Sequence, residues 1–164
     1  MAYTINLYPT SDISLGHTAG SGSTGYNMVN ESETDGDSTY IQHSLSSSNS
    51  TETSRFNCAA ATNDSSKPSG KIKVRSIKVE TYWGSGGQNV DTISGTLTTS
   101  VAFGDGSYTN ASSTATRNST SSTVSYTLTT STFTNLSIVG TVYESIDDLE
   151  AKLQLSTSGR YTTN

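Results

Sequence analysis

Between Gly70 and Trp83 the chain reads Gly-Lys-Ile-Lys-Val-Arg-Ser-Ile-Lys-Val-Glu-Thr-Tyr-Trp. No other stretch constrains the fold as tightly. Ile72 and Val74 alternate with Lys71, Lys73 and Arg75. After Ser76 the alternation resumes one residue out of phase, with Ile77, Val79 and Thr81 set against Lys78 and Glu80. A period of two in β-branched residues marks a half-buried strand. A one-residue slip is what a β-bulge inserts, so that both halves keep their apolar face on the core. The segment predicts the central strand of an all-β protein, bulged at Arg75-Ser76.

The rest of the 164 residues must supply strands that pack on it, and the composition makes that core thin. About a third of the chain is Ser or Thr, and Leu, Ile, Val and Phe make up about a sixth. So low an apolar share accompanies disorder when net charge is high. Here the net charge is only −5 and charged residues are 14% of the chain, while nine Tyr and many Thr add β-formers. A folded β protein with long neutral surfaces is the expectation. An acidic chain without a basic stripe does not suit nucleic acid. No apolar run approaches the ~18 residues that span a bilayer. Met1-Ala2-Tyr3-Thr4 begins no secretion signal, so the protein is expected to stay where it is made. One cysteine, Cys58, permits no internal disulfide, and beside Phe56 it reads as a small buried residue.

Turn signals divide the chain into eight to ten short strands. Residues 3–8 alternate and are expected to end at Pro9. Residues 10–25 carry Gly16, Gly20, Gly22 and Gly25 and predict a long Gly/Ser-rich loop. Strand character returns from Tyr26, Asp35-Gly36 predicts a turn, and Thr39-Tyr40-Ile41 opens another strand. Residues 44–51 read as an exposed loop. Glu52–Ala60, one or two strands over Val90–Phe103 with Gly95 a bulge, Ser107–Thr116, Ser121–Phe133 and Leu136–Tyr143 follow, with turns at Gly104-Asp105-Gly106 and Arg117-Asn118. Ser145 is a helix-capping type, with Asp147 and Asp148 in the first turn, so a short helical turn is expected near 146–152. Leu153-Gln-Leu-Ser-Thr reads as a last strand, and residues 157–164 as a polar tail that dangles or pairs with a neighbour. The whole, residues 1–164, predicts a single β-sandwich domain of jelly-roll type. Uncovered sandwich edges predict self-association.

Few residues are placed for chemistry. Glu31, Glu33, Asp35 and Asp37 give a carboxylate spacing with a superficial likeness to a calcium loop. The distal bidentate Glu is lacking, so Glu33, Asp35 and Asp37 are a weak Ca²⁺ candidate beside the plainer reading of a solvated turn. His17 and His43 are 26 residues apart and isolated, which does not point to a metal. Tyr82 and Trp83 form an aromatic pair able to contact a glycan or a protein partner. The plainer reading has one ring closing the core and the other on the surface. No phosphate loop or nucleophile elbow is present, and no cofactor or catalytic residue is expected.

The order of features resembles a broad group of tailed-bacteriophage virion proteins with β-sandwich domains. The matching residues are Asp35-Gly36-Asp37-Ser38-Thr39-Tyr40-Ile41, Phe56, Gly70-Lys71-Ile72 through Ile77-Lys78-Val79, and a late turn at Ser145-Ile146-Asp147-Asp148-Leu149. Near the end, only Arg160-Tyr161 stands where the group has a further strand, which implies one strand fewer or an edge supplied by a neighbour. The resemblance implies a non-enzymatic structural role, as an auxiliary or decoration protein on the capsid. It implies location in the virion and partners among copies of itself, the major capsid protein or tail components. A carbohydrate-binding or adhesin module associated with a tail or fibre is the alternative.

Overall fold

A computed structural model describes residues 4–19, 25–29, 40–43, 49–60, 69–85, 92–104, 108, 114–119, 125–134 and 140–162. Eleven strands follow in order: β1 (Leu7–Ser14), β2 (Thr18–Ala19), β3 (Ile41–Gln42), β4 (Asn49–Ala60), β5 (Ile72–Lys73), β6 (Ile77–Ser85), β7 (Thr92–Phe103), β8 (Thr114–Ser119), β9 (Ser125–Phe133), β10 (Val142–Tyr143) and β11 (Ala151–Thr162). Two 3-10 turns, Tyr26–Met28 and Ile146–Asp148, are the helical elements among the described residues. The protein is all-β, as its alternating patterns predict.

Five strands form one sheet in the order β1-β4-β11-β7-β8, antiparallel throughout. Its middle strand is β11, not the Gly70–Trp83 segment. The expected polar tail is therefore largely strand: Arg160 pairs with Asn49 on one side and Ser94 on the other. Ala151, Leu153, Leu155 and Thr157 alternate with Lys152, Gln154, Ser156 and Ser158, so the period of two is present, but beyond Leu155 it is carried by small and hydroxyl side chains. Only the neighbours make it a central strand.

The Gly70–Trp83 segment keeps its predicted faces but not its predicted place. Ile72, Val74, Ile77, Val79, Thr81 and Trp83 are half-buried, and Lys71, Lys73, Arg75, Ser76, Lys78, Glu80 and Tyr82 are exposed, with the slip at Arg75-Ser76. The slip is a break rather than a bulge. Before it β5 pairs with β10, and after it β6 pairs with β9 along its whole length, Ile77 opposite Phe133 to Ser85 opposite Ser125.

The β6–β9 ribbon lays its inner face against the five-stranded sheet. Val101 and Phe133 form one buried cluster, joined by Ile77, Val79, Phe103, Tyr143, Leu149 and Leu153. Phe56, Leu97 and Leu155 form a second, joined by Tyr26, Val29, Ile41, Cys58, Trp83 and Leu153. Phe56 and Phe133 are fully buried. Burying a Phe side chain contributes roughly 1.5–3 kcal/mol each. Hydroxyls fill space that aliphatics occupy in richer cores. Thr99 and Ser131 are almost fully buried, and Thr99 Oγ1 donates to Ser131 Oγ across the two layers at 2.9 Å.

Several boundaries differ from expectation for local reasons. Pro9 does not end β1, because β1 is an edge strand with register shifts between Pro9 and Ser11 and between Asp12 and Ser14. An edge with a bulge tolerates a residue that cannot donate. The 10–25 loop therefore loses residues 10–14 to β1 and 18–19 to β2. Tyr26–Met28 is a 3-10 turn rather than strand, since Asp12 accepts hydrogen bonds from Gly25 N at 2.9 Å and Tyr26 N at 2.7 Å and so holds its start. Residues 49–51 belong to β4, not to a loop. Val90–Phe103 yields one strand, in which Gly95 faces Gly159 and Arg117 with no shift of register, so it is not a bulge. Arg117 and Asn118, expected in a turn, lie inside β8. The late turn covers only Ile146–Asp148 before β11 begins.

Candidate functional site

The outer face of the β6–β9 ribbon carries two of the exposed large apolar side chains among the described residues, Tyr82 and Leu128. Strand alternation turns Lys78, Glu80 and Tyr82 outward on β6, and Leu128, Thr130 and Thr132 outward on β9. Tyr82 stands directly opposite Leu128, and their exposures are 44% and 55%. Tyr126 lies on the diagonal, its ring stacked on that of Tyr82 with centroids 5.5 Å apart and planes 20° from parallel. Stacking of this kind holds both rings in one orientation, leaving an aromatic surface edged by an aliphatic one. Lys78 and Glu80 form an ion pair on the same face. This end of the ribbon therefore offers an apolar cluster beside a locally neutralised charge pair.

Trp83 takes the opposite role. Being one residue on, it points inward, packs against the Phe56–Leu97–Leu155 cluster and donates from Nε1 to Thr129 Oγ1 at 3.0 Å. The aromatic pair thus splits as the plainer sequence reading has it, one ring in the core and one on the surface. Tyr126 and Leu128 were missed by sequence reasoning. Their signal was present in the alternation of Ser125–Phe133, but which face is outward depends on the pairing with β6.

A second constellation lies at one end of the sheet's core face, where the fold overturns the isolation of the histidines. His17 and His43 meet edge to face with ring centroids 6.2 Å apart. His17 Nδ1 lies 2.7 Å from Ser54 Oγ and its Nε2 lies 2.7 Å from Thr157 Oγ1. Thr157 Oγ1 is 3.0 Å from His43 Nδ1, and His43 Nε2 is 2.6 Å from Ser50 Oγ. His17 is 4% exposed. Burial lowers its pKa from 6.5 to about 4, and the neighbouring His43 acts in the same direction. Gly16 makes this approach feasible: a Cβ there would fall 2.4 Å from the carbonyl oxygen of Thr53.

Other candidates are less placed for chemistry. Glu31, Glu33, Asp35 and Asp37 lie outside the described residues. Among the described residues no group of three or more His, Cys, Asp or Glu is positioned to hold a metal ion. Cys58 is half-buried, and desolvation pushes its thiol up to about 11, against a lowering contribution from the Leu153 backbone. That makes it a poor nucleophile. A depression of about 180 Å³ is lined by Phe103, Gly104, Tyr143, Asp148 and Glu150. Its Asp148 carboxylate is engaged as a cap, accepting from Ser145 N at 2.9 Å. No described helix is long and apolar enough to cross a membrane. No protein-family model, curated protein or solved structure matches the chain.

Proposed function

We propose that this chain is a non-enzymatic structural component of a tailed-bacteriophage particle, an auxiliary or decoration protein of the capsid surface. On this reading it binds copies of itself and other virion proteins, either the major capsid protein or tail components. The ribbon and the five-stranded sheet are then the two layers of a jelly-roll sandwich. The observation that carries the proposal is the Tyr82–Tyr126–Leu128 cluster, an exposed apolar group on a chain otherwise short of apolar residues. Such groups mark surfaces that another protein covers. The resemblance to virion proteins supplies the class of partner. Its matching residues Phe56, Ile77 and Val79 all lie in or against the core. Binding shared over many copies needs no single strong site.

Fractionation of the native source on a density gradient, with quantitative mass spectrometry across the fractions, tests this. The chain should band with DNA-filled particles at a fixed ratio to the major capsid protein. A Tyr82→Ser/Leu128→Ser variant should fold and leave those fractions. Recovery of the wild-type chain only in soluble fractions would defeat the proposal. The exposed Tyr82 ring favours one second reading, a glycan-binding module. It expects saturable binding lost in Tyr82→Ala, and the test belongs there rather than at the inward-facing Trp83.

A further inference from the structure

The hydroxyls and imidazoles at the end of the core face form a chain whose direction two backbone amides determine from Ser54 to Thr157. Ser54 Oγ accepts from Gly16 N at 3.2 Å and from His17 N at 3.1 Å. A hydroxyl has two acceptor positions and one proton. With both positions filled, Ser54 must donate its proton to His17 Nδ1. The neutral imidazole then carries its proton on Nε2 and donates to Thr157 Oγ1. Thr157 Oγ1 also contacts His43 Nδ1, and His43 Nε2 contacts Ser50 Oγ, which extends the series to a second imidazole. Every contact in the series Ser54, His17, Thr157, His43, Ser50 is at or below 3.0 Å.

This arrangement has no room for another proton. A proton added at His17 Nδ1 would point at an oxygen that already receives two amides. Ser54 would face three donors with two acceptor positions, so at least one amide of Gly16 or His17 must let go. Those amides tie the start of β2 to β4. The β2–β3 pair joins Thr18 to Gln42 and Ala19 to Ile41, and Ile41 packs on the Phe56–Leu97–Leu155 cluster. His17 directly precedes β2 and His43 directly follows β3, so the histidines flank the two ends of this short pairing.

We propose that this chain holds an acid-released latch, in which protonation of His17 frees the Gly16–His17 backbone, and with it the β2–β3 pairing, from Ser54 on the five-stranded sheet. Among the described residues, the charged or titratable groups on the surrounding elements are few. His43 opposes a second positive charge. Glu52 on β4 stands directly opposite Thr157 in the register and has a buried carboxylate oxygen, Oε2, with no hydrogen-bond partner. Asp12 on β1 is turned to the Gly25 and Tyr26 amides instead. β11 presents Thr157. The latch does not depend on the particle assignment and operates in the isolated chain.

Linkage sets the size of the effect. Released to solvent, His17 has the ordinary histidine pKa of 6.5, and burial in the closed form lowers it to about 4. Between about pH 7.5 and about pH 5, His17 alone should raise the ratio of released to held latch on the order of 30-fold. Hydrogen exchange of the Gly16 and His17 amides, corrected for the intrinsic pH dependence of exchange, reads that ratio. Nitrogen-detected spectra of the imidazoles read the tautomers. The expected result is Nε2–H on His17 near neutral pH, and protection of the two amides falling about 30-fold on acidification. His17→Gln retains a donor toward Thr157 but cannot titrate, so its protection should stay level. An Nδ1–H tautomer at His17, protection in the wild type that ignores pH, or a His17→Gln variant that loses protection as the wild type does would each overturn the latch. Should His17→Gln not fold, the two wild-type measurements decide alone.

Discussion

Thr99 shows how a chain so rich in hydroxyls makes a core at all. Its methyl group fills apolar space while its Oγ1 donates to Ser131, and neither residue is more than 2% exposed. Thr99→Val keeps the volume but strands the Ser131 hydroxyl, and should lower stability by about 1–3 kcal/mol. Adding Ser131→Ala should recover part of that loss, because no buried hydroxyl is then left without its partner. Chemical denaturation of the single and double variants measures both outcomes. His17 makes the complementary case for a titratable group. Its folded pKa lies below its unfolded one, so the unfolded chain takes up the proton first as pH falls. The associated stability is complete above 6.5, declines between there and about 4, and is level below. The full decline is up to about 3 kcal/mol, taking 1.36 kcal/mol per pKa unit. Denaturation curves of the wild type and His17→Gln across this range should diverge only in the wild type's acid limb.

At the scale of elements, the late turn was legible because its chemistry is local. Ser145 and Asp148 cap each other: Ser145 Oγ accepts from Asp147 N at 3.2 Å, and Asp148 accepts from Ser145 N at 2.9 Å. Ser145→Ala should cost about 0.5–2 kcal/mol, toward the lower end for so short a turn, with the loss read from thermal unfolding. The β5–β6 segment shows the limit of the same approach. Its faces followed from its own residues, and so did the place where the pattern slips. That the halves pair with β10 and β9 did not, because a phase slip is compatible with a bulge in one sheet or a step between two. The outward cluster on the ribbon was half legible for this reason. The sequence placed one ring of Tyr82 and Trp83 on the surface without saying which, and Leu128 and Tyr126 join Tyr82 only through the register.

Across the whole molecule, long-range pairing dominates. β4 sits between β1 and β11, and the Leu153–Phe56 pair alone spans most of the chain. A chain ending at Glu150 would lose the strand on which both halves of the large sheet close. It should show no cooperative unfolding transition by circular dichroism, where a dangling tail would leave the transition intact. Charge matters little by comparison. The Lys71–Glu144 and Lys78–Glu80 pairs have side chains between 51% and 74% exposed. Exposed pairs contribute about 0–1 kcal/mol each and are screened by salt.

The amino-acid sequence by itself determined that this protein is all-β, which side chains of Gly70–Trp83 turn inward, where that pattern slips, and that a capped turn stands at Ser145–Asp148. These are consequences of side-chain periodicity and of bonds between residues three apart or fewer. Only the tertiary structure decided that β11 is the central strand, that Pro9 lies within an edge strand, and that His17 and His43 meet across Thr157. Strand partners are chosen by the joint burial of faces far apart in the chain. Ser, Thr and Gly, which make up most of β11 beyond Leu155, suit a sheet centre and a solvated tail equally until neighbours close over them.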